Sequence, residues 1–173
     1  MGLLLPKWLQ IDFQYANLGT PMPLPGNGKS LRIQVGAARE RQGRNASSAF
    51  LILDAQSVKN TDTAALKGYD AGKKVSGIKR HIAVDTQGLP HAIAVTTAEV
   101  TDRKGALQAL QRCKLTLNKV QRLLCDSGYV GQPFAQGVKD ILGEHVTVQI
   151  SKRSELHAFK VMPKRWVVER SFA

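Results

Sequence analysis

From residue 50 onward, short β-rich runs alternate with helix patterns, and this order constrains the fold more than any other feature. The apolar run at 50–53 predicts a buried strand that ends at Asp54. Two further runs flank the turn signal Gln87-Gly88 and predict an antiparallel hairpin. The segments that follow read as helix 103–113, strand 120–125, helix 132–142, strand 145–150 and a last helix from residue 165. Hairpins are antiparallel and helical crossovers favour parallel pairing, so we expect an α/β fold with a mixed sheet flanked by helices.

The first 49 residues have a different character. Pro and Gly are frequent there and no apolar period is sustained, which predicts a basic, loop-rich segment at 1–49 ahead of a core at 50–173. Within it, residues 30–46 hold four arginines and one acid, Glu40. This pattern is compatible with either a basic helix or a solvated linker.

The charge balance indicates a polyanionic partner. Lys and Arg number 25 against 13 Asp and Glu, giving a net charge of +12, which favours nucleic acid first and an anionic membrane surface second. Aromatic residues make up only 6%, which argues against a single-strand binder built on stacked rings. No apolar run is long enough for a transmembrane helix. Cys113 and Cys125 lack metal-site spacing, and we expect both to be buried in a reducing compartment.

Three acidic residues are candidate metal ligands. Asp54 and Asp126 each follow an apolar, strand-like run, and ligands bind at strand ends in α/β sheets. Two neighbouring carboxylates repel each other unless a hard cation such as Mg²⁺ or Mn²⁺ lies between them. Glu169, in the last helix, is available as a third ligand. Two such ions about 4 Å apart would hold the attacking and leaving oxygens of a phosphodiester. The competing interpretation is that each aspartate is a turn or cap residue.

Four ordered sequence blocks make the metal interpretation more specific. They are LDAQSVK at 53–59, GKKVSGIKRHIAVDTQG at 72–88, LCDSGY at 124–129 and RWVVERSF at 165–172. Together they resemble the catalytic core of DDE-class bacterial insertion-sequence transposases, with the insertion sequence five family as the most similar group. The resemblance spans residues 50–173, and the order of four blocks is far more specific than any one of them.

The resemblance implies an RNase H-like fold in which Asp54, Asp126 and Glu169 are the catalytic carboxylates. It implies a two-metal site for Mg²⁺, with Mn²⁺ as a substitute. The implied reaction is cleavage at transposon ends followed by strand transfer to target DNA. The implied partners are double-stranded DNA, as terminal inverted repeats and as target, and further copies of the chain in a homo-oligomer on DNA. The implied location is the bacterial cytoplasm at the nucleoid, with no membrane involved.

Basic residues near these blocks are candidate DNA contacts. Arg165 matches the arginine of the related signature Tyr-x2-Arg-x3-Glu-x6-Lys, one helical turn before Glu169. It is expected to neutralise that carboxylate or to hold a phosphate. A second group around the first hairpin suits a non-specific phosphate track, with an ordinary solvated loop as the alternative: Lys73, Lys74, Lys79 and Arg80.

The chain departs from the family pattern at two places. Met162 stands at the tyrosine position of the signature, and its lysine position lies beyond Ala173. The first 49 residues do not resemble the family's N-terminal DNA-binding region. These departures predict a truncated or partial copy. They leave two alternatives open, a catalytically inactive remnant that only binds DNA and another RNase H-like nuclease.

The remaining polar candidates favour structural roles. His81 lies among basic residues in the hairpin, and a structural or phosphate-facing role is favoured over metal ligation. Asp85 reads as a hairpin-turn residue and Asp102 as the cap of the next helix. Ser57 has no evident His and Asp partners, which disfavours a hydrolase triad.

Overall fold

The computed structural model of the protein describes residues 29–60, 67–151 and 167–168. The helices are α1 (Lys29–Glu40), α2 (Asp102–Cys113) and α3 (Gln132–Leu142). The strands are β1 (Phe50–Lys59), β2 (Gly68–Asp70), β3 (Val75–Val84), β4 (Pro90–Thr97), β5 (Arg122–Cys125) and β6 (Thr147–Ile150). Short 3₁₀ turns cover Lys114–Thr116 and Ser127–Tyr129.

The described strands form one mixed sheet. β3 pairs antiparallel with β1, β2 and β4, whereas β5 pairs parallel with β1 and with β6. The tight turn after β3 returns the chain antiparallel, while α2 and α3 carry it back across the sheet before β5 and β6. The predicted α/β fold with a mixed sheet is therefore confirmed.

The strand boundaries correct the sequence prediction for Asp54. β1 does not end at this residue but continues to Lys59, because it pairs with β3 from Ile52–Val84 to Lys59–Gly77. Asp54 consequently lies inside the strand. The segment at 59–77 is polar and rich in Lys and Gly, yet it contains β2 and the start of β3, which pair with each other. Its polar side chains carry no strand signal, and the partner strand supplies the backbone hydrogen bonds.

Each sheet face packs a different core. Leu51 and Leu53 of β1 belong to the larger core, which lies between the sheet and the helices α2 and α3. Ile52, which points to the opposite face, belongs to a second core that includes Val167 and Val168. The predicted burial of both cysteines is confirmed, and both lie in the larger core.

The basic stretch at 30–46 is helical as far as Glu40. α1 forms where either a helix or a linker was expected, and its Arg39 guanidinium makes a buried ion pair with Asp85. Asp85 also accepts hydrogen bonds from the backbone N–H groups of Gln87 (2.8 Å) and Leu89 (3.1 Å), which confirms it as a hairpin-turn residue. α1 is thus joined to the β3–β4 turn through one carboxylate.

The start of α2 differs from the prediction by one residue. The cap is Thr101, whose hydroxyl accepts from the Lys104 N–H at 3.3 Å, and Asp102 is the first helical residue. A threonine in extended conformation satisfies a free N–H of the first turn, which leaves the Asp102 carboxylate available for other partners.

Candidate active site

Asp54 and Asp126 are brought together by the parallel pairing of β1 with β5. The register joins Leu51 to Leu123 and Ile52 to Leu124. Asp126 follows β5 in an extended conformation, so continuing the register by two residues places Asp126 beside Asp54. Side chains alternate along a strand, so both carboxylates lie on the face of Ile52 and Leu124, and neighbouring strands are about 4.8 Å apart.

Backbone N–H groups orient both carboxylates. Asp54 Oδ1 accepts from the Ala55 N–H at 2.8 Å, and Asp126 Oδ1 accepts from the Gly128 N–H at 2.8 Å. The second contact caps the 3₁₀ turn that follows β5. Both side chains are half-buried, so each keeps surface that a ligand can reach.

The negative charge of the two aspartates raises the pKa of neighbouring side chains. Burial raises the pKa of the Cys125 thiol, and the carboxylates of Asp126 and Asp54 raise it further. Burial likewise raises the pKa of Tyr129, and Asp102, Asp54 and Asp126 add to the shift. The carboxylates of Asp54 and Asp126 therefore both raise the pKa values of Cys125 and Tyr129, which places the two carboxylates in one region of negative potential.

The third predicted ligand falls outside the described residues. That ligand is Glu169. Four other residues near it also lie outside the described residues: Met162, Arg165, Trp166 and Phe172. Val167 and Val168 are helical and buried in the second core. That core lies on the sheet face that carries Asp54.

The residues present fit a divalent cation. Two carboxylates on one face supply the hard oxygen donors that Mg²⁺ and Mn²⁺ prefer, and a cation between them relieves their repulsion. Within 29–60, 67–151 and 167–168, no cluster of three or more His, Cys, Asp and Glu residues is placed to hold a metal. A complete site would need a third ligand from elsewhere, for which Glu169 is the candidate.

The chain matches a known protein family. A family model described as "Transposase DDE domain" matches residues 45–173, which is most of the chain. The chain belongs to the transposase DDE domain family. A search of curated proteins found no match. Transposases act on DNA, and DDE domains generally use divalent metal ions. In the part of this transposase domain that the structure describes, no helix is long and apolar enough to cross a membrane.

Lys79 and Arg80 of the transposase domain point to opposite faces of the sheet. Lys79 is 5% exposed, and its ammonium pairs with Asp70 at 2.9 Å and with Asp102 at 3.0 Å. Burial lowers the pKa of Lys79, but hydrogen bonds and charge from the two carboxylates outweigh it and leave the pKa raised. Its charge is thus neutralised inside the protein. Arg80 is half-buried opposite Gln56, on the face of Asp54.

The two lysines of the β2–β3 turn also differ. Lys73 Nζ donates to the Ala55 carbonyl at 3.1 Å and lies 3.6 Å from Asp102 Oδ2. Lys74 is exposed and has a left-handed backbone, with φ of 54°. One lysine therefore faces the protein and the other faces solvent.

The sequence analysis did not predict a polar cluster on the sheet face opposite Asp54. Ser57 Oγ donates to Asp70 Oδ2 at 2.6 Å, and Asp70 in turn pairs with Lys79, which also pairs with Asp102. The signal that could have found it is the alternation of β3. Lys79 and Arg80 are adjacent, so only one of them can share the face of Asp54.

His81 has a structural role in the transposase domain. It is fully buried, and its Nε2 lies 3.0 Å from Thr96 Oγ1. The Thr96 hydroxyl donates to a backbone carbonyl, so the imidazole Nε2 donates to Thr96. Burial lowers the pKa of His81 to about 4, so the ring is neutral at pH 7. A buried neutral ring cannot contact a DNA phosphate, which removes the phosphate-facing alternative.

Proposed function

We propose that this chain is the catalytic core of a DNA transposase of the insertion sequence five family, with an RNase H-like fold. The observation that carries the proposal is the matched placement of Asp54 and Asp126 on neighbouring parallel strands. A central β1 that is antiparallel to β3 and parallel to β5 supports the proposed fold. The family match supports the reaction class.

In this proposal, Asp54, Asp126 and Glu169 would hold Mg²⁺, or Mn²⁺ as its substitute, at a two-metal site. The bound cations would supply charge stabilisation at the oxygens of the phosphodiester. The backbone N–H groups of Ala55 and Gly128 keep the first two carboxylates oriented towards that site. Water attacks the phosphorus at the transposon end, and the bond to the 3′-oxygen breaks to leave a 3′-hydroxyl. That hydroxyl attacks a target phosphodiester and displaces a 3′-oxygen of the target, without a covalent protein–DNA intermediate.

The proposed DNA contacts are basic side chains that reach the face of Asp54 or solvent. Arg80 lies on that face, Lys74 extends from the β2–β3 turn, and Arg165 lies outside the described residues. The substrate would be double-stranded DNA with terminal inverted repeats, and pairing of two ends requires a homo-oligomer. Action on bacterial chromosomal DNA implies a cytoplasmic, nucleoid-associated location.

A strand-transfer assay tests the proposal. The substrate is a duplex carrying the inverted repeats read from genomic DNA that flanks the reading frame, with Mg²⁺ present. We expect Asp54→Asn and Asp126→Asn each to lose more than about 100-fold in joined product, since a metal ligand matters at least as much as the groups that orient it. Glu144→Gln is the matched control, because that carboxylate is 75% exposed and pairs only with Lys139 among the described residues.

The products also separate the alternatives. Cut ends without joined product would indicate a nuclease rather than a transposase. Salt-sensitive DNA binding with neither product would indicate a DNA-binding remnant. Equal activity of the parent and both aspartate variants would overturn the assignment of the carboxylates.

A further inference from the structure

β1 extends past its parallel partner at the proposed metal site. Its pairing with β5 covers Phe50–Ile52, and β5 ends at Cys125 before the chain turns at Ser127. Beyond Ile52, β1 stays paired with β3 on one edge, so the backbone groups on its β5 edge need partners other than that strand.

Side chains supply those contacts at Ala55, the residue after Asp54. The Ala55 N–H donates to Asp54 Oδ1 at 2.8 Å, and the Ala55 carbonyl accepts from Lys73 Nζ at 3.1 Å. One peptide group thus orients the proposed ligand, and the carbonyl of the same residue is held by a lysine from another element. A charged donor makes a stronger hydrogen bond than a neutral one.

Lys73 is itself held firmly in place. The backbone N–H groups of Gly72 and Lys73 both donate to Asp70 Oδ1 at 3.1 Å. The other Asp70 oxygen accepts from Ser57 of β1 and pairs with Lys79 of β3. Burial raises the pKa of Asp70, but these hydrogen bonds and the charge of Lys79 lower it well below its usual range. The turn is therefore fixed to both strands, which directs Lys73 towards Ala55.

We propose that Lys73 is a positioning residue for Asp54. The inference rests on the proposed function, because it assigns Lys73 to the same metal site. Lys73 holds the backbone directly after the first carboxylate, whereas Lys74 serves DNA binding through its charge alone. Lys73 and Lys74 are adjacent and carry the same charge, but they have different roles in this proposal.

Lys73→Met and Lys74→Met form a matched pair, since each removes one positive charge from the same turn. We expect Lys73→Met to lower the single-turnover strand-transfer rate at saturating DNA about tenfold or more, and to raise the dissociation constant for Mn²⁺ similarly. Lys74→Met should keep the Mn²⁺ affinity, which is measured without DNA. Its DNA affinity should fall, with a salt slope smaller by about 1. Lys73→Arg, which keeps a charged donor, should recover part of both losses.

Mn²⁺ binding is measured without DNA by the loss of the free-ion paramagnetic resonance signal, and hydrogen exchange of residues 53–57 reports the strand directly. Equal Mn²⁺ affinity and exchange rates in the two lysine variants would overturn the inference. Lys73 is 43% exposed, so Lys73→Met is expected to fold, and Lys73→Gln replaces it if its melt is not cooperative.

The same measurements separate this inference from the proposed function. A parent that binds Mn²⁺ through Asp54 but yields no joined DNA would refute strand transfer. The Mn²⁺ affinities of Lys73→Met and Lys74→Met would then still decide whether Lys73 positions Asp54. A parent that binds no Mn²⁺ would overturn both.

Discussion

Asp54 within β1 and Asp126 directly after β5 lie side by side when the register of these two parallel strands is continued by two residues, and they share one sheet face. Like charges this close repel each other, so a divalent cation that binds both would stabilise the folded protein. The arrangement makes metal binding measurable even without DNA.

Mn²⁺ should raise the unfolding midpoint of the parent. A ligand at 100 times its dissociation constant adds about 2.7 kcal/mol, which corresponds to a rise of about 5–10 °C for a domain of this size. Asp54→Asn and Asp126→Asn should abolish the rise, while Glu144→Gln should keep it. Calorimetry with and without Mn²⁺ measures the effect. An equal rise in all four proteins would place the metal elsewhere.

Lys79→Met should destabilise the protein. Removal of this ammonium leaves Asp70 and Asp102 close together without the cation that they share, and breaking a buried ion pair costs about 3 kcal/mol. Lys74→Met, from the exposed neighbouring turn, should change the free energy of unfolding by less than about 0.5 kcal/mol. Urea unfolding of both variants at pH 7 makes the comparison. Equal stability would contradict the buried cluster.

His81 should make stability depend on pH in a defined window. Burial lowers the pKa of His81 from 6.5 to about 4, so the unfolded chain binds its proton first as pH falls. The folded state then loses up to about 3 kcal/mol between pH 6.5 and pH 4. His81→Gln, which keeps a donor for Thr96, should lose correspondingly less over that window. Urea unfolding at several pH values gives both slopes, and parallel slopes would contradict the buried neutral imidazole.

Gly105→Ala should be destabilising although alanine favours helices. A Cβ at this position of α2 would lie 2.0 Å from His81 Nε2, and the buried ring has little room to move. Overpacking costs about 1–3 kcal/mol, and a contact this short places the cost at the upper end, above the helix gain of about 1 kcal/mol. Gly72→Ala is the control, because its Cβ would meet only Asp70 Oδ1, at 3.5 Å. The thermal midpoint should fall for the first variant alone.

Local signals were sufficient for several elements. The prediction of a helix at 132–142 agrees with α3, because Pro133 in the first turn and Gly143 at the C-cap, with φ of 112°, mark its ends. Apart from α1 and β2, the order of strands and helices likewise follows from periodicity within each segment. The candidates Asp54 and Asp126 were also visible, since each follows an apolar run.

The position at which β1 ends could not be predicted from local signals. Residues 55–59 are too polar to read as a buried strand, and they are extended because β3 pairs with them. For the same reason, Asp54 was expected at a strand end and lies inside the strand. Backbone pairing between segments that are distant in the chain does not produce a periodic pattern of apolar residues in either segment.

The amino-acid sequence is sufficient to give the order of the elements other than α1 and β2, the basic charge and the acidic residues available for a metal site. The face of the sheet that each side chain occupies depends on how distant segments pack. Lys79 and Arg80 are adjacent and equally charged, yet α2 covers the face of Lys79, where Asp70 and Asp102 neutralise it, and Arg80 shares the face of Asp54. Periodicity within a segment reports which residues alternate, whereas the packing of distant segments decides which of the two faces is buried.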